Sequence, residues 1–340
     1  MKLSIIIPVF NEVECIKEFT NNIKNTFINE NVEYIFINDG SNDGSKEWLE
    51  EYIKKQPKEN NKLVNLSKNT GKGNAIHEGI KISRGDHILF QDADLELDTK
   101  DSLEMYKIII NNKKIKCLFG SRYLTGKLKS NKNFINEFVV RINSLIFNVL
   151  YLQSISDVHC GTKIVSKDVL ENIKLTIKDF GFEIDIASQI AKNNFDIFEY
   201  GISYFSRSTQ EGKKITWIDG LKTYYYLFKT RFIDNDISTQ FSILFSSIYM
   251  MYIGSHFSKG TGSLLVILMT LIIGLFIGLK RKIASSSFIY LFCFVGSLFS
   301  KGNGRIYTVI LGFIIGLYLS KKVVKLVRKK TKNKFIYFFV

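Results

Sequence analysis

Four short apolar runs dominate the first hundred residues, and each stops abruptly at a polar loop. They are Leu3–Val9 (LSIIIPV), residues 32–37 (VEYIFI), residues 62–66, and a run ending at Asp92. Apolar runs of this length read as buried strands, and Pro8 suits a strand end, where a ladder donor can be missing. Between them lie stretches with helical spacing. Ile16, Phe19, Ile23 and Phe27 share one face over roughly 12–28, with Asn11 placed to cap that helix. Trp48, Leu49, Tyr52 and Ile53 mark a second helix, and a third covers about 73–83. Strands alternating with helices at this spacing make an α/β fold, a parallel sheet with helices on both faces.

In such a sheet, ligands sit at the carboxyl ends of the strands. The loops there are 8–12, 39–43, 69–74 and 92–96, and all four are polar. In the last, Ile88-Leu89-Phe90 gives way to Gln91, Asp92, Ala93, Asp94, Leu95 and Glu96. Alternating acids this close repel one another unless a cation sits between them, and their hard oxygens suit Mg2+ or Mn2+. A metal held by one or two carboxylates completes its shell with substrate phosphates, so a nucleotide diphosphate is the natural guest. A bare Asp-x-Asp reads equally well as an acidic turn, and its weight comes from the other loops. Asp39 is placed to accept from a base or ribose. Gly71-Lys72-Gly73, at a helix start, offers backbone donors and a cation to a diphosphate. Asp43 and Asn74 read as ordinary turn residues.

A chain of 340 residues has room for two domains, and its character changes near Ile237. Four uncharged runs follow, at 237–257, 263–279, 283–300 and 306–320, with lengths at or near those of membrane spans. The formal net charge of +15 is uneven: Lys321, Lys322, Lys325, Arg328, Lys329, Lys330, Lys332 and Lys334 crowd the C-terminus. Beside apolar runs, such a cluster suits anionic lipid headgroups, and no nucleic-acid module is present. Four spans put Lys280, Arg281, Lys282 and the basic tail on the same side as the N-terminal domain, which the positive-inside rule makes cytoplasmic. Residues 213–232, basic and aromatic, suit a membrane interface. The start MKLSIIIPVFNE is too short for a signal-peptide core. Cys15, Cys117, Cys160 and Cys293 have no CxxC or zinc-like spacing and give no sign of a disulfide framework. The expected organisation is a catalytic domain at 1–212, an interfacial region at 213–236, a transmembrane domain at 237–320 and a cytoplasmic tail at 321–340.

SIIIPVFNE, INDGSNDGS, NTGKGNAIHEGI and DADLE together resemble family 2 glycosyltransferases, and more narrowly the polyprenol-phosphate sugar synthases of the dolichyl-phosphate glucose and mannose group. Gly120-Ser121-Arg122-Tyr123, the block from Asp157 to Lys163 (DVHCGTK), Gly181-Phe182-Glu183-Ile184-Asp185, and RSTQEGKK from Arg207 extend the likeness over roughly residues 3–232. The resemblance implies a nucleotide-sugar-binding, Rossmann-like domain of the GT-A type with a mostly parallel sheet, followed by an all-helical transmembrane domain. It further implies that Pro8, Phe10, Glu12 and Asp39 hold the nucleoside and that Lys72 and Asp92 lie near the diphosphate. Asp94 becomes a metal ligand alongside Asp92 and Glu96. Arg122, Arg141 and Arg207 face a phosphate, with Asp94, Arg122 and Arg207 as the catalytic set, while Ala93 and Lys213 join the substrate-binding residues. Val158, His159 and Thr162 depart from the family's DTQCGF pattern on the acceptor side. A solvated charge on an amphipathic helix is an equally good reading of Arg141.

The activity implied is inverting transfer of a hexose from a nucleotide-sugar, UDP-glucose before GDP-mannose, to polyprenyl or dolichyl phosphate. Such an acceptor is already an anionic nucleophile and needs no strong base. Catalysis then reduces to gathering and neutralising two phosphates. His77 and His159 read as structural. Two alternatives stand beside this: a glycosyltransferase acting on a lipid-linked or surface glycan, and a lipid-carrier translocase or membrane scaffold. The partners expected are the donor, the lipid acceptor and the bilayer, and a homo-oligomer stays open.

Overall fold

A computed structural model describes residues 2–56, 60–124, 126–130, 134–207, 217–235, 237–257 and 263–280, together with Leu311, Ile314 and Ile315. The chain divides into two compact units, Met1–Thr230 and Arg231–Val340.

The first unit is built on a sheet in the order β3-β2-β1-β4-β7-β5-β8. β1 (Leu3–Val9) is central and pairs in parallel with β2 (Val32–Asn38) and β4 (His87–Phe90), while β3 (Asn61–Asn65) flanks β2. The four runs read from the sequence are therefore the four parallel neighbours. β5 (Cys117–Ser121) and β8 (Phe198–Gly201) complete the far side, and β7 (Lys163–Ser166) enters antiparallel between β4 and β5. The reversal brings the loop before β7 to the edge where β4 ends, since Phe90 pairs with Lys163. β6 (Lys129–Ser130) and β9 (Tyr204–Phe205) form a separate two-stranded ribbon.

Strand alternation sends β1 side chains to two cores. Leu3, Ile5, Ile7 and Val9 meet α1 (Val13–Thr26) and α4 (Thr99–Asn111) through Ile16, Phe19, Ile23, Met105 and Tyr106. Ile6 faces α3 (Lys72–Ile82), α5 (Phe134–Tyr151) and α7 (Phe182–Lys192) in the other core. Each fully buried isoleucine contributes about 1.5–3 kcal/mol, so β1 anchors both layers. α2 (Ser45–Lys54) buries Leu49 and Tyr52, with Trp48 stacked on Tyr52 at 4.9 Å, and α6 (Lys167–Asn172) follows β7.

Asn11 does not cap α1. It takes a left-handed φ of 50°, and its side chain accepts the Asn42 N–H at 2.9 Å. The first amide of α1, on Val13, is instead satisfied by Asp43 at 2.9 Å. The loop after β2 thereby caps the helix after β1, and Asp43 is a turn residue as expected.

α8 (Trp217–Phe228) belongs to the first unit and is followed by a π-helical turn, Lys229–Ile233. In the second unit, α9 (Ile237–Phe257) and α10 (Ser263–Lys280) coincide with the first two uncharged runs. They pair as an antiparallel hairpin: Gly274 lies against Ser246 and Ser247, and Gly278 against Ile243. Phe241, Leu244, Phe245, Ile248, Leu268, Met269, Ile272 and Ile273 point outward and are exposed. Among the described residues, whose side chains here cover 239–255 and 265–279, no helix is long and apolar enough to cross a membrane. The runs at 283–300 and 306–320, apart from Leu311, Ile314 and Ile315, and the tail at 321–340 lie outside the described residues.

Candidate active site

The loops after β1, β2, β3 and β4 meet at one edge of the sheet. There the strand order turns from β1 to β4, which is where open α/β sheets bind ligands. Asp39 ends β2, buried. Its carboxylate accepts from Thr70 N–H and Thr70 Oγ1 at 2.8 Å and from Gly71 N–H at 2.9 Å. Its observed task is to hold the glycine-rich turn that opens α3. Asn74, in the first turn of α3, donates its side-chain amide to Thr70 Oγ1 at 2.9 Å.

Lys72 leaves that turn toward the loop after β4. Its Nζ lies 2.7 Å from Asp92 Oδ1 and 3.0 Å from Glu183 Oε1. Burial alone would lower this ammonium's pKa, but Asp92 and Glu183 outweigh burial and hold it well above the ordinary lysine value. Glu183 also pairs with Lys163, whose side chain is fully buried and which donates to Cys160 O. Asp92, Lys72, Glu183 and Lys163 thus form one chain of alternating charge. Lys163 and Glu183 lie in two of the segments that carry the family resemblance, yet no role for either follows from that resemblance. The available signal was a lysine opening an apolar strand (KIVS) and a glutamate inside an apolar helix (FEIDIASQI), since buried charges require partners.

The second cluster surrounds Arg207. Its Nη1 lies 3.0 Å from Glu12 Oε2 and its Nη2 3.3 Å from Asp94 Oδ2, while its backbone N–H donates to Glu96 Oε1 at 2.8 Å. Burial, reinforced by Asp92 and Glu96, raises the Asp94 carboxyl to about 7 against the opposing pull of Arg207. Asp92, Asp94 and Glu96, expected to gather around one metal, have different partners here. Among the described residues no group of three or more His, Cys, Asp or Glu side chains is arranged to hold a metal ion. Leu95 takes a left-handed φ of 59°, and the carboxylates are divided, Asp92 to Lys72 and the other two to Arg207.

Arg122, at the end of β5, grips buried Asp157 through Nε at 2.7 Å and Nη2 at 2.8 Å. This bidentate pairing is inside the protein, so most of the guanidinium is committed before any phosphate arrives. Burial would push Asp157 up, yet Arg122 holds its carboxyl below the usual carboxylate range. Tyr204 lies 5.1 Å from the Arg122 guanidinium, and burial followed by Glu96 raises its phenol to about 12. Arg141, on α5, is exposed, pairs with Glu137 at 2.9 Å one helical turn away, and sets its guanidinium 4.6 Å from the ring of Tyr123, the neighbour of Arg122. Pro8 pairs in register with Ile37, Phe10 is partly buried, and Ala93 is buried with its carbonyl 3.5 Å from Cys15 Sγ. Lys213 lies outside the described residues. His159 is half-buried, its removal from water lowers it to about 4, and its Nε2 meets the Asn143 amide at 3.1 Å. Cys15, Cys117 and Cys160 are all free thiols.

A mostly parallel sheet that gathers acids, a glycine-flanked lysine and an arginine at its ligand-binding edge is the arrangement of a transferase. The family model for glycosyl transferase family 2 matches residues 4–174, and the chain belongs to that family. It is similar to a dolichyl-phosphate beta-glucosyltransferase of Dictyostelium discoideum, 29% identical over 64% of this chain and 73% of that protein. A dolichol-phosphate mannosyltransferase of Pyrococcus furiosus is 28% identical over 67% of this chain and 64% of its own length. A prophage bactoprenol glucosyl transferase homolog of Escherichia coli is 29% identical over 59% and 63%. Among solved structures, glucosyl-3-phosphoglycerate synthase from Mycobacterium tuberculosis, in complex with Mn2+, UDP and glucosyl-3-phosphoglycerate, superposes with a TM-score of 0.53. That match covers 70% of this chain and 82% of the other at 15% identity, and it establishes the shared fold.

Proposed function

We propose that this glycosyltransferase moves a hexose from a nucleotide-sugar to a polyprenyl phosphate, with inversion at the sugar carbon. The observation that carries the reading is the convergence of Lys72–Asp92 and Arg207–Asp94 at the ends of β3, β4 and β9. Three relatives that bear the names of polyprenol-phosphate sugar transferases support the acceptor class. Glucosyl transfer, hence UDP-glucose, is favoured because two of those three names specify it.

In this reading an acceptor phosphate oxygen attacks the anomeric carbon, the bond from that carbon to the diphosphate oxygen breaks, and the nucleoside diphosphate leaves with the electron pair. Lys72 stabilises the negative charge growing on the leaving diphosphate. Arg207 exchanges its carboxylate partners for a phosphate as the substrates arrive. Asp39 preorganises the turn on which Lys72 stands. Asp94 lies beside Asp92 and Glu96, and their mutual repulsion, only partly offset by Arg207, suits the added charge of a divalent cation. Asp94 with Asp92 would hold Mg2+ or Mn2+, which supplies charge neutralisation of the diphosphate.

The second unit, in this reading, is embedded in a bilayer through spans at 237–257, 263–279, 283–300 and 306–320. Support comes from the exposed apolar side chains of α9 and α10 and from the glycines that let the two helices approach closely. The catalytic unit and basic tail then face the cytoplasm, as the placement of Lys280, Arg281 and Lys282 favours. The test is transfer of radiolabelled sugar, with polyprenyl phosphate and a lipid-linked saccharide offered separately. Label on the phosphate lipid is expected, and label on the saccharide alone would overturn the acceptor assignment.

A further inference from the structure

The segment 174–181, which leads into α7, lies across the Gly-Lys-Gly turn. Gly71 has φ +100°, and a Cβ there would sit 2.5 Å from Lys178 O; a Cβ on Gly73 would sit 2.5 Å from Ile177 O. Asn74 N–H donates to Lys178 O at 2.8 Å. The carbonyls of this strap therefore rest directly on the backbone that launches Lys72.

The strap is fastened at both ends. On one side, Asp185 of α7 accepts from Thr176 N–H at 2.5 Å and Ile177 N–H at 2.8 Å. On the other, Asp179 accepts from Gly181 N–H at 2.9 Å and from the Tyr226 hydroxyl of α8 at 2.6 Å, with Lys222 Nζ at 3.8 Å. The Tyr226 ring lies so close to Gly181 that a Cβ there would collide with it. α8 is itself pinned: Thr230 Oγ1 donates to Tyr226 O at 2.6 Å and meets the Tyr151 hydroxyl of α5 at 2.7 Å. A continuous path of short contacts thus runs from the aromatic helix α8, through Tyr226, Asp179 and Lys178, to the turn bearing Lys72.

We infer that Tyr226 and Asp179 are positioning residues for the donor: they fix the strap, and the strap fixes the direction in which Lys72 leaves its turn. This rests on the reading that Lys72 meets the donor diphosphate. Neither side chain touches substrate in this account. Their effect falls on donor binding more than on the chemical step, because a loosened turn lowers the fraction of protein with Lys72 in place.

The experiment uses the full chain and two mild substitutions, Tyr226→Phe and Asp179→Asn, with Tyr225→Phe on the exposed side of the same helix as control. Two readouts are taken: amide hydrogen exchange over residues 70–78 without ligand, and donor KM and kcat with UDP-glucose and with GDP-mannose. Lys72→Met is measured in the same series. The expected result is faster exchange at Asn74 in both variants and a donor KM raised roughly 3- to 10-fold, the size of one hydrogen bond to a charged group only partly transmitted. kcat stays within about twofold, and Tyr225→Phe moves neither readout. Unchanged exchange would overturn the inference outright. Faster exchange with an unmoved KM, while Lys72→Met raises KM, would overturn the positioning role and leave the donor reading intact. An unmoved KM in Lys72→Met as well would show that the donor reading itself had failed.

Discussion

Lys72 Nζ stands 2.7 Å from Asp92 Oδ1, and this ion pair ties the loop after β3 to the loop after β4. In the ligand-free protein Asp92 and Glu183 occupy the positive charge that a diphosphate would claim. Lys72→Met should therefore act twice. Asp92 loses its cation and Glu183 keeps only Lys163, which costs roughly 3 kcal/mol of stability, and donor KM rises. Thermal unfolding with and without UDP reads both, since UDP should raise the melting temperature of the parent chain and leave that of the variant nearly unmoved.

Asp94→Asn should separate stability from activity. Burial and the neighbouring Asp92 and Glu96 make the ionised Asp94 side chain unfavourable, with Arg207 in partial opposition. The neutral amide relieves that cost, so the melting temperature should hold or rise. Turnover should fall by about 10²-fold or more, the usual effect of removing one group that stabilises developing charge.

Arg122 and Asp157 provide a double-mutant cycle. Removing either one leaves the other buried without its partner, at a cost of roughly 3–5 kcal/mol. The double variant Arg122→Met/Asp157→Leu should be less destabilised than the sum of the singles, read from urea midpoints. Simple additivity would mean that the bidentate pair contributes little to the fold.

Much of the ligand-binding edge was legible because apolar runs and glycine-Asx loops are local signals. β1 to β4 and α1 to α3 fall where periodicity puts them, and Asp39, Lys72, Asp94 and Arg207 all come to the same edge. What the sequence hid is pairing across distance. Whether Asp92 turns toward Asp94 or toward Lys72 depends on the left-handed backbone at Leu95 and on a lysine twenty positions upstream. Lys163 and Glu183 are likewise invisible as partners until β7 enters antiparallel and α7 packs beside it. Asn11 looked like a cap because its type is right, yet Asp43 from another loop reaches Val13 first.

At the opposite end of the sheet, Glu33 gives a pH prediction independent of the active site. Its side chain is buried. Burial alone would raise the carboxyl, but hydrogen bonds from Lys62, Ser4 and Arg84 N–H hold it at about 2 instead of 4.5. Because the folded value is depressed, this contribution is fully present above about pH 4.5 and is lost as pH falls toward 2, on the order of 3 kcal/mol. Glu33→Gln should lower the urea midpoint at pH 7 and flatten its decline between pH 5 and pH 2. A decline as steep as that of the parent chain would locate the acid sensitivity elsewhere.

The most direct test is turnover by the membrane fraction with polyprenyl phosphate and Mg2+ or Mn2+, offering UDP-glucose and GDP-mannose separately to the parent chain and to Asp94→Asn. The account predicts product from UDP-glucose, dependence on the cation, and loss of that product in Asp94→Asn. Equal turnover by Asp94→Asn, or turnover indifferent to removal of divalent cations, would contradict it.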